Sequence, residues 1–351
     1  MTDATQTPRA RLAVLRPGAW RPLAGLGLAF AIAAVLIAIA GANPLTALGA
    51  ALSGAFGSPS QIATALTKAT PYLLCSTGVA LCFRAGVINI GGEGQIALGG
   101  LAATAAALAW PIADPLVATL AALAAGALGG LAWAALAAAL HLARRVHEVL
   151  ITLLMNFIAL LMVGEALRDG LGEAGAGFPQ SPLLPRSVWL TRLMPPTSLN
   201  VGALIALAVA ILAALLLWRT TFGFAIRATG ASRRAAAYAG FSVPGVVFGV
   251  MCLGGATAGL AGAVQVMGVQ YRLIEGYSTG FGFVSVAIAL LGGLDPLLLI
   301  PASVFFGFLE TGMAAMQRQV GVPSALVGVI EGLVMLTVLA GTASGARKAR
   351  V

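Results

Sequence analysis

The chain has 351 residues, of which 60% are hydrophobic and only 9% are charged. Soluble globular proteins carry roughly 25% charged residues, so this composition excludes a soluble globular fold and indicates a membrane protein. The formal net charge is +9. A nucleic-acid-binding protein would need those charges clustered on one face with aromatic side chains, whereas here they lie in short stretches between long apolar runs.

The apolar runs predict transmembrane helices, each of which needs about 20 residues. The predicted spans are 22–40, 61–82, 87–108, 116–140, 149–167, 199–218, 244–270, 278–294, 298–316 and 323–341. We therefore predict an all-α polytopic membrane protein with about ten transmembrane helices in one domain, 1–351. Five spans precede the polar stretch 169–200 and five follow it. Two five-helix halves of inverted orientation result, as in many transporters.

The basic residues predict the orientation. With both termini in the cytoplasm, 14 of the 20 Lys and Arg residues lie on the inner side, as the positive-inside rule requires. This topology places a cytoplasmic tail at 1–21, a cytoplasmic loop at 219–243 and a second tail at 342–351. The apolar stretch near the N-terminus exceeds the 7 to 15 residues of a signal-peptide core, so it is predicted to be the first span.

A glycine-rich segment from Arg84 to Gly100 carries Asn89, Glu93 and Gln95 inside an apolar region. An ionisable group at bilayer depth costs at least ~2.5 kcal/mol and normally faces a protein interior or a wet pathway. Broken helix at that depth is tolerated only where protein or a cavity covers it. These three residues, with Asn156 of a later span, are predicted to line a pathway for a polar uncharged solute. The alternative is that Glu93 braces the broken helix by accepting backbone N–H bonds.

The inner loop 219–243 is the second candidate site. Its residues 231–239 are good helix formers, and Gly240 is a typical helix stop. The alanines with a single tyrosine, Tyr238, favour close docking of another protein. The alternative is a solvated connector whose arginines only fix the orientation.

Several motifs resemble one known family, the permease subunits of bacterial ABC importers in the branched-chain amino acid, simple sugar and nucleoside group. Residues 83–95, FRAGVINIGGEGQ, are similar to the FRAGxFNIGxEGQ signature of the nucleoside branch. Residues 227–240 resemble its cytoplasmic coupling segment, and residues 286–292, VAIALLG, resemble its IAVALLG motif. Glu148-Val149 with Asn156 resembles its Asn-Glu-Val-Ile and Leu-Asn-Tyr motifs.

The resemblance implies a type II ABC importer-like permease that moves a polar small solute, in the first instance a nucleoside, by alternating access. It implies a homologous second permease subunit, a cytoplasmic ABC ATPase that binds ATP and Mg, and an extracytoplasmic substrate-binding lipoprotein at a bacterial cytoplasmic (inner) membrane. This chain would hold no cofactor and would not be an enzyme. The residues that would couple to the ATPase are Gly230, Ala231, Ser232, Arg233, Ala235, Ala236, Tyr238 and Gly240.

Three departures from the family pattern leave the solute and the ATPase contact surface open. His147 replaces Asn, Ser232-Arg233-Arg234 replaces Asn-Pro-Glu, and Glu331 stands where Gln is expected. The alternative function is an ion-coupled secondary transporter, in which Glu93, Glu310 and Glu331 would bind protons or Na⁺. For Glu310 and Glu331, helix–helix hydrogen bonding is the favoured role.

Overall fold

A computed structural model describes residues 20–110, 112–144, 146–278 and 280–348. Within these ranges the chain forms α-helices, one short 3-10 helix (Arg186–Val188), one π-helical turn (Val266–Gln270) and isolated β-bridges, but no strand. The helices are α1 Trp20–Ile39, α2 Pro44–Phe56, α3 Pro59–Arg84, α4 Gly92–Ala109, α5 Pro115–Arg144, α6 Glu148–Arg168, α7 Gly202–Arg219, α8 Thr221–Ala231, α9 Arg233–Tyr238, α10 Val243–Gln265, α11 Phe281–Leu291, α12 Leu299–Val320 and α13 Ser324–Lys348.

Each predicted span overlaps a helix, so the mainly helical architecture is confirmed. In the described part of the chain, five helices are long and apolar enough to cross a membrane by themselves: α5, α6, α7, α10 with its π turn, and α12. Helix α3 is long but more polar, and every residue from Ala69 to Cys82 is buried. Its buried Ser and Thr hydroxyl groups donate to the helix's own carbonyls, as Thr77 does to Leu73 at 2.7 Å, so these polar groups are compatible with burial.

The helix boundaries differ from the predicted spans at three places. The predicted span 87–108 begins too early, because residues 85–91 are not helical and α4 begins at Gly92. The predicted span 278–294 contains only the 11-residue helix α11. Helices α2 and α8 lie in stretches where no membrane span was predicted.

Glycines allow α4, α5 and α10 to approach backbone to backbone. A Cβ on Gly259 of α10 would overlap Gly126 and Gly130 of α5, and a Cβ on Gly99 of α4 would overlap Gly259. This small-residue contact is the packing expected of transmembrane helices, where no hydrophobic effect drives helices together.

The apolar exterior is clearest on α6. Leu150, Leu154, Phe157 and Leu161 are all more than half exposed and recur at helical spacing, whereas the opposite face, which includes Asn156, is buried. A helix with apolar residues outward and polar residues inward suits a lipid surrounding rather than water.

The chain divides into two compact units. The described residues within Met1–Ala47 and Val322–Val351 form the first, in which α1 and α13 pack against each other. Residues Leu48–Gly321 form the second, which holds all the predicted pathway and coupling residues, whereas Glu331 lies in the first. The assignment of all residues to one transmembrane domain stays a prediction.

The polar stretch 169–200 is held by hydrogen bonds to the segment that follows α10. The Ser181 N–H donates to the Leu273 carbonyl at 2.8 Å and the Leu184 N–H to the Tyr271 carbonyl at 2.9 Å. The ion pair Arg272–Glu173 at 3.0 Å joins the same two segments, and Arg168, at the end of α6, pairs with Glu275 at 2.7 Å. The stretch also contains the 3-10 helix Arg186–Val188.

Candidate functional site

The non-helical break between α3 and α4, residues 85–91, is stabilised by two amide side chains, Asn89 within it and Gln95 in the first turn of α4. Gly86, at φ +70°, turns the chain after α3, a conformation that glycine adopts without strain. The Asn89 Oδ1 then accepts the Gly91 N–H at 2.9 Å. The Asn89 and Gln95 amides also pair, with Gln95 Nε2 donating to Asn89 Oδ1 at 3.2 Å and Asn89 Nδ2 to Gln95 Oε1 at 3.4 Å.

Helix α6 supplies the second support for the break. The Asn156 Oδ1 accepts the Gly94 N–H at 2.9 Å, and its Nδ2 donates to the Ile90 carbonyl at 2.9 Å. One turn earlier, Thr152 Oγ1 accepts the Ile90 N–H at 3.3 Å. The backbone groups that an interrupted helix leaves without partners are therefore satisfied by side chains.

Glu93 connects α4 to the start of α11. Its Oε1 accepts the Gly280 N–H at 3.0 Å and its Oε2 accepts the Gly282 N–H at 2.8 Å. A carboxylate at a helix N-terminus is stabilised by the unpaired N–H groups and the helix dipole. Gly282 also lies so close to the Glu93 backbone that a Cβ there would overlap it.

The structure brings the four predicted pathway residues into one buried cluster. Asn89 is 1% exposed, and Glu93, Gln95 and Asn156 are each 2% exposed. Each has hydrogen-bond partners within the chain. Glu93 accepts backbone N–H bonds, as the bracing alternative expects, but from the start of α11 and not from the broken segment itself. Contact of these four residues with a solute stays a prediction.

The inner loop folds into two short helices. The Thr220 Oγ1 accepts the Gly223 N–H at the start of α8, and the Ser232 Oγ accepts the Ala235 N–H at the start of α9. Gly240, at φ +86°, follows the end of α9. The predicted short helix ended by Gly240 is therefore confirmed. Helix α8 was missed, although Thr220 is a typical N-cap residue.

The predicted coupling residues divide between two surfaces. Ala236 is 1% exposed and packs inside the chain, whereas Tyr238 is 93% exposed. The other predicted coupling residues are exposed: Gly230, Ala231, Ser232, Arg233, Ala235 and Gly240. A docking protein would thus meet Tyr238 and its exposed neighbours but not Ala236.

The two candidate sites are in direct contact. Arg233 of α9 donates to the Gly86 carbonyl at 3.0 Å, and Gly230 of α8 lies against the Arg84 carbonyl with no room for a Cβ. Arg84 in turn donates to the Leu294 carbonyl, just after α11, at 3.0 Å. The inner loop therefore contacts the end of α3 and the start of the break.

Two of the departures from the family pattern preserve local structure. His147 is the N-cap of α6, and its Nδ1 accepts the Val149 N–H at 3.3 Å. Ser232 is the N-cap of α9. Asn, the residue expected at both positions, is also a strong N-cap, so these substitutions keep the helix starts. Arg233, in place of Pro, adds the bond to Gly86.

One polar cluster was missed as a site. Lys68 of α3 and Glu310 of α12 form an ion pair at 2.6 Å, and the Tyr72 hydroxyl donates to the same carboxylate at 2.9 Å. The favoured helix–helix role of Glu310 is confirmed. The sequence carried one signal, a lysine and a glutamate within separate apolar runs, but it gave no indication that the two residues meet.

Comparison with known proteins identifies the family. Residues 61–339 match the model of the permease component of the branched-chain amino acid transport system. The chain belongs to this permease family. It is 33% identical to the guanosine ABC transporter permease protein NupP of Bacillus subtilis over 90% of this chain and 92% of the relative. The resemblance drawn from the motifs is thereby confirmed, and the permease is a multi-pass membrane protein.

Two further relatives are informative. The permease is 31% identical to the glucose ABC transporter permease protein TsgB13 of Haloferax volcanii, over 88% of this chain and 83% of the relative. It is also 28% identical to the guanosine ABC transporter permease protein NupQ of Bacillus subtilis, over 70% of this chain and 79% of the relative. The chain thus resembles both guanosine permease proteins of a single organism.

Proposed function

We propose that this chain is the transmembrane permease subunit of an ATP-driven ABC importer that carries a nucleoside by alternating access. The observation that carries the proposal is the contact between Arg233 of the inner helix α9 and Gly86 of the broken helix. A permease driven from the cytoplasm needs such a contact between its docking surface and the helices that move.

In the proposed mechanism, hydrogen bonds transmit a displacement of α9 to α4 and α11. ATP-driven closure of the ATPase would displace α9, and Arg233 and Gly230 would pass the displacement to residues 84–86. The braced segment 85–91 would move α4, and the Glu93 carboxylate would move the start of α11 with it. Tightly packed helices convert such small shifts into a switch between two arrangements.

The proposed topology has ten crossings, two inverted five-helix halves and both termini in the cytoplasm. Two contacts support it, because they join segments assigned to the inner side: Arg84 with Leu294, and Arg233 with Gly86. A further contact, Ser181 with Leu273, joins segments assigned to the outer side.

The proposed partners are a homologous second permease subunit, a cytoplasmic ABC ATPase that binds ATP and Mg, and an extracytoplasmic substrate-binding lipoprotein, all at a bacterial cytoplasmic membrane. The existence of two guanosine permease proteins in one organism, both similar to this chain, supports the pairing of two permeases. No catalytic step is assigned to this chain, and no cofactor is proposed for it.

A nucleoside is the proposed solute because NupP, a relative at 33% identity, is named for guanosine. TsgB13 is named for glucose. Guanosine and glucose share one chemical feature, a neutral framework with adjacent hydroxyl groups. The proposed class is therefore a neutral polyhydroxylated solute, with nucleosides first among its members.

Reconstitution tests the proposal. The permease, its second permease, ATPase and lipoprotein would be placed in proteoliposomes, and uptake of radiolabelled guanosine, uridine and glucose would be measured. We expect uptake of at least one nucleoside that requires ATP and ignores an imposed pH gradient. Uptake that follows the pH gradient without ATP would favour the ion-coupled alternative and overturn the proposal.

A further inference from the structure

We propose that Lys68, Glu310 and Tyr72 form a solute-binding patch on the wall of the translocation pathway, and that it binds adjacent hydroxyl groups of a neutral solute. The inference rests on the proposed function and deepens it, because it names Lys68 and Glu310 as the side chains that meet the solute, with the buried Tyr72 holding the Glu310 carboxylate in place. These three residues are called the polar patch below.

The polar patch is compact, and its three side chains are joined by hydrogen bonds. Lys68 Nζ lies 2.6 Å from Glu310 Oε1, and the Tyr72 hydroxyl lies 2.9 Å from Glu310 Oε2. The carboxylate thus keeps further lone pairs, and the ammonium keeps further N–H donors. The patch offers both donors and acceptors while the charges of Lys68 and Glu310 cancel.

The pair lies far from both ends of its two helices. Lys68 is the tenth residue of the 26-residue helix α3, and Glu310 is the twelfth residue of the 22-residue helix α12. At 1.5 Å per residue, each residue is roughly 14 to 16 Å from the start of its helix. Such a position corresponds to the middle of a hydrocarbon core about 30 Å thick.

The exposure of the pair requires a polar environment. The Lys68 and Glu310 side chains remain 30% and 29% exposed in the isolated chain. Charged side chains at this depth face a water-filled cavity or a partner rather than lipid. The apolar surface suited to lipid lies elsewhere, on residues such as Leu154 and Leu212. We therefore assign the polar patch to the wet pathway.

Polar groups continue from the patch along both helices. On α3, Gln61, Thr64, Lys68 and Tyr72 follow at spacings of three or four residues, which places them on one helix face. The Gln61 Oε1 is buried and has no hydrogen-bond partner within the described residues. On α12, Gln317 lies two turns beyond Glu310 and is exposed. These residues extend a polar face toward the predicted outer side.

The chemistry of the patch suits adjacent hydroxyls. Two neighbouring hydroxyl groups can donate to the free lone pairs of the Glu310 carboxylate, and the Lys68 ammonium can donate to a hydroxyl oxygen. Phe281 meets the Tyr72 ring edge-on at 5.4 Å and is itself partly exposed. An aromatic ring beside a diol-binding group fits a ribonucleoside, which carries a planar base next to its ribose hydroxyls.

Two other sites fit a polar solute less well. The cluster of Asn89, Glu93 and Gln95 is almost fully buried, and its groups are occupied by internal hydrogen bonds. A cavity of about 270 Å³ between α3, α7 and α12 is lined mainly by leucine and alanine side chains, so it offers few groups for hydroxyls.

Cysteine labelling tests whether the polar patch is wet without breaking the ion pair. Ala314→Cys, one turn from Glu310, is compared with Leu212→Cys, which faces the apolar exterior. The complex in proteoliposomes is treated with a charged, membrane-impermeant thiol reagent, and the unmodified chain controls for its own cysteines. We expect labelling at 314, slowed by guanosine, and none at 212. Absence of labelling at 314 in every nucleotide state would overturn the assignment to the pathway.

A double variant tests binding. Lys68→Met with Glu310→Leu removes both charges together, which folded proteins tolerate far better than loss of one partner. We expect normal assembly, with guanosine uptake reduced about tenfold or more. We also expect the unmodified complex to prefer guanosine to 2′,3′-dideoxyguanosine in uptake, and the variant to lose that preference. A correctly assembled variant with unchanged uptake and preference would show that the pair only braces α3 against α12. If the unmodified complex takes up no solute with ATP, the proposed function fails instead, and the labelling result still decides whether the patch is wet.

Discussion

The side chain of Arg233 donates a hydrogen bond of 3.0 Å to the carbonyl oxygen of Gly86, which joins the inner helix α9 to the break after α3. Every residue of α9 except Ala236 is exposed. The bond therefore links the exposed surface proposed for ATPase docking directly to the break between α3 and α4.

Removal of the Arg233–Gly86 hydrogen bond should weaken the coupling between the inner loop 219–243 and the glycine-rich segment 84–100. We expect Arg233→Ala to reduce ATP-driven uptake about two- to tenfold, the equivalent of one hydrogen bond worth ~0.5–1.5 kcal/mol, while the complex still assembles. Uptake and ATPase activity measured together in proteoliposomes check this. Arg234→Ala is the matched control, since it removes the same charge from the neighbouring exposed position. Equal losses in both variants would point to general electrostatics rather than the Gly86 bond.

Glu93 provides a test of stability. Glu93→Ala would leave the Gly280 and Gly282 N–H groups without their acceptor, at ~1–3 kcal/mol for each buried unsatisfied group. Glu93→Gln replaces one acceptor oxygen with an amide donor, so it should cost roughly half as much. Thermal unfolding of the purified complex in detergent measures both, and equal stability of all three forms would contradict the capping role.

Substitutions at Tyr238 and Ala236 should cause different defects, the first in ATPase binding and the second in stability. Tyr238→Ala should leave the permease folded and weaken its binding to the ATPase, because Tyr238 is 93% exposed. Ala236→Glu should instead destabilise α9, since a charge would enter a position that is 1% exposed. Thermal unfolding and co-purification with the ATPase separate the two effects. Normal ATPase binding by Tyr238→Ala would exclude this residue from the docking surface.

The glycine contact gives a further test of packing. Gly259→Leu should prevent assembly, because even a Cβ at this position would overlap the α5 backbone. Gly49→Leu in α2 is the matched control, since nothing lies within 4 Å of a Cβ there. The yield of folded permease after membrane extraction is the measurement. Comparable yields of the two variants would contradict the close approach of α10 and α5.

Accessible cysteines test the topology. Gly177→Cys, in the polar stretch 169–200, should react with an impermeant reagent in intact cells, and Ser232→Cys should react only after the membrane is opened. Both positions are exposed, so a difference in labelling reports the side of the membrane. Labelling of Ser232→Cys in intact cells would reverse the proposed orientation.

The positions of the long helices could be predicted because they depend on local composition. Long apolar runs marked α5, α6, α7 and α12, and Gly240 marked the stop after α9. The starts of α4 and α11 could not be predicted in the same way. They depend on Asn156 and Glu93, which lie 62 and 187 residues from the N–H groups that they accept.

The candidate site was partly predictable for the same reason. Polar residues in an apolar segment marked Asn89, Glu93, Gln95 and Asn156 as unusual, but whether such groups face a solute or a backbone N–H depends on tertiary contacts. The Lys68–Glu310 pair was missed because the two residues are 242 positions apart. Single residues of opposite charge in separate helices give no indication that they meet.

The contacts that hold the stretch 169–200 affect how strongly an external partner could bind there. Flexible loops must lose conformational freedom when they are captured, and that loss is subtracted from the affinity. Here the Ser181–Leu273 and Leu184–Tyr271 bonds and the Arg272–Glu173 ion pair already hold this stretch in place. The proposed lipoprotein, docking on this stretch, would therefore meet a preorganised surface, and its affinity should depend mainly on the contacts it makes rather than on the ordering of this chain.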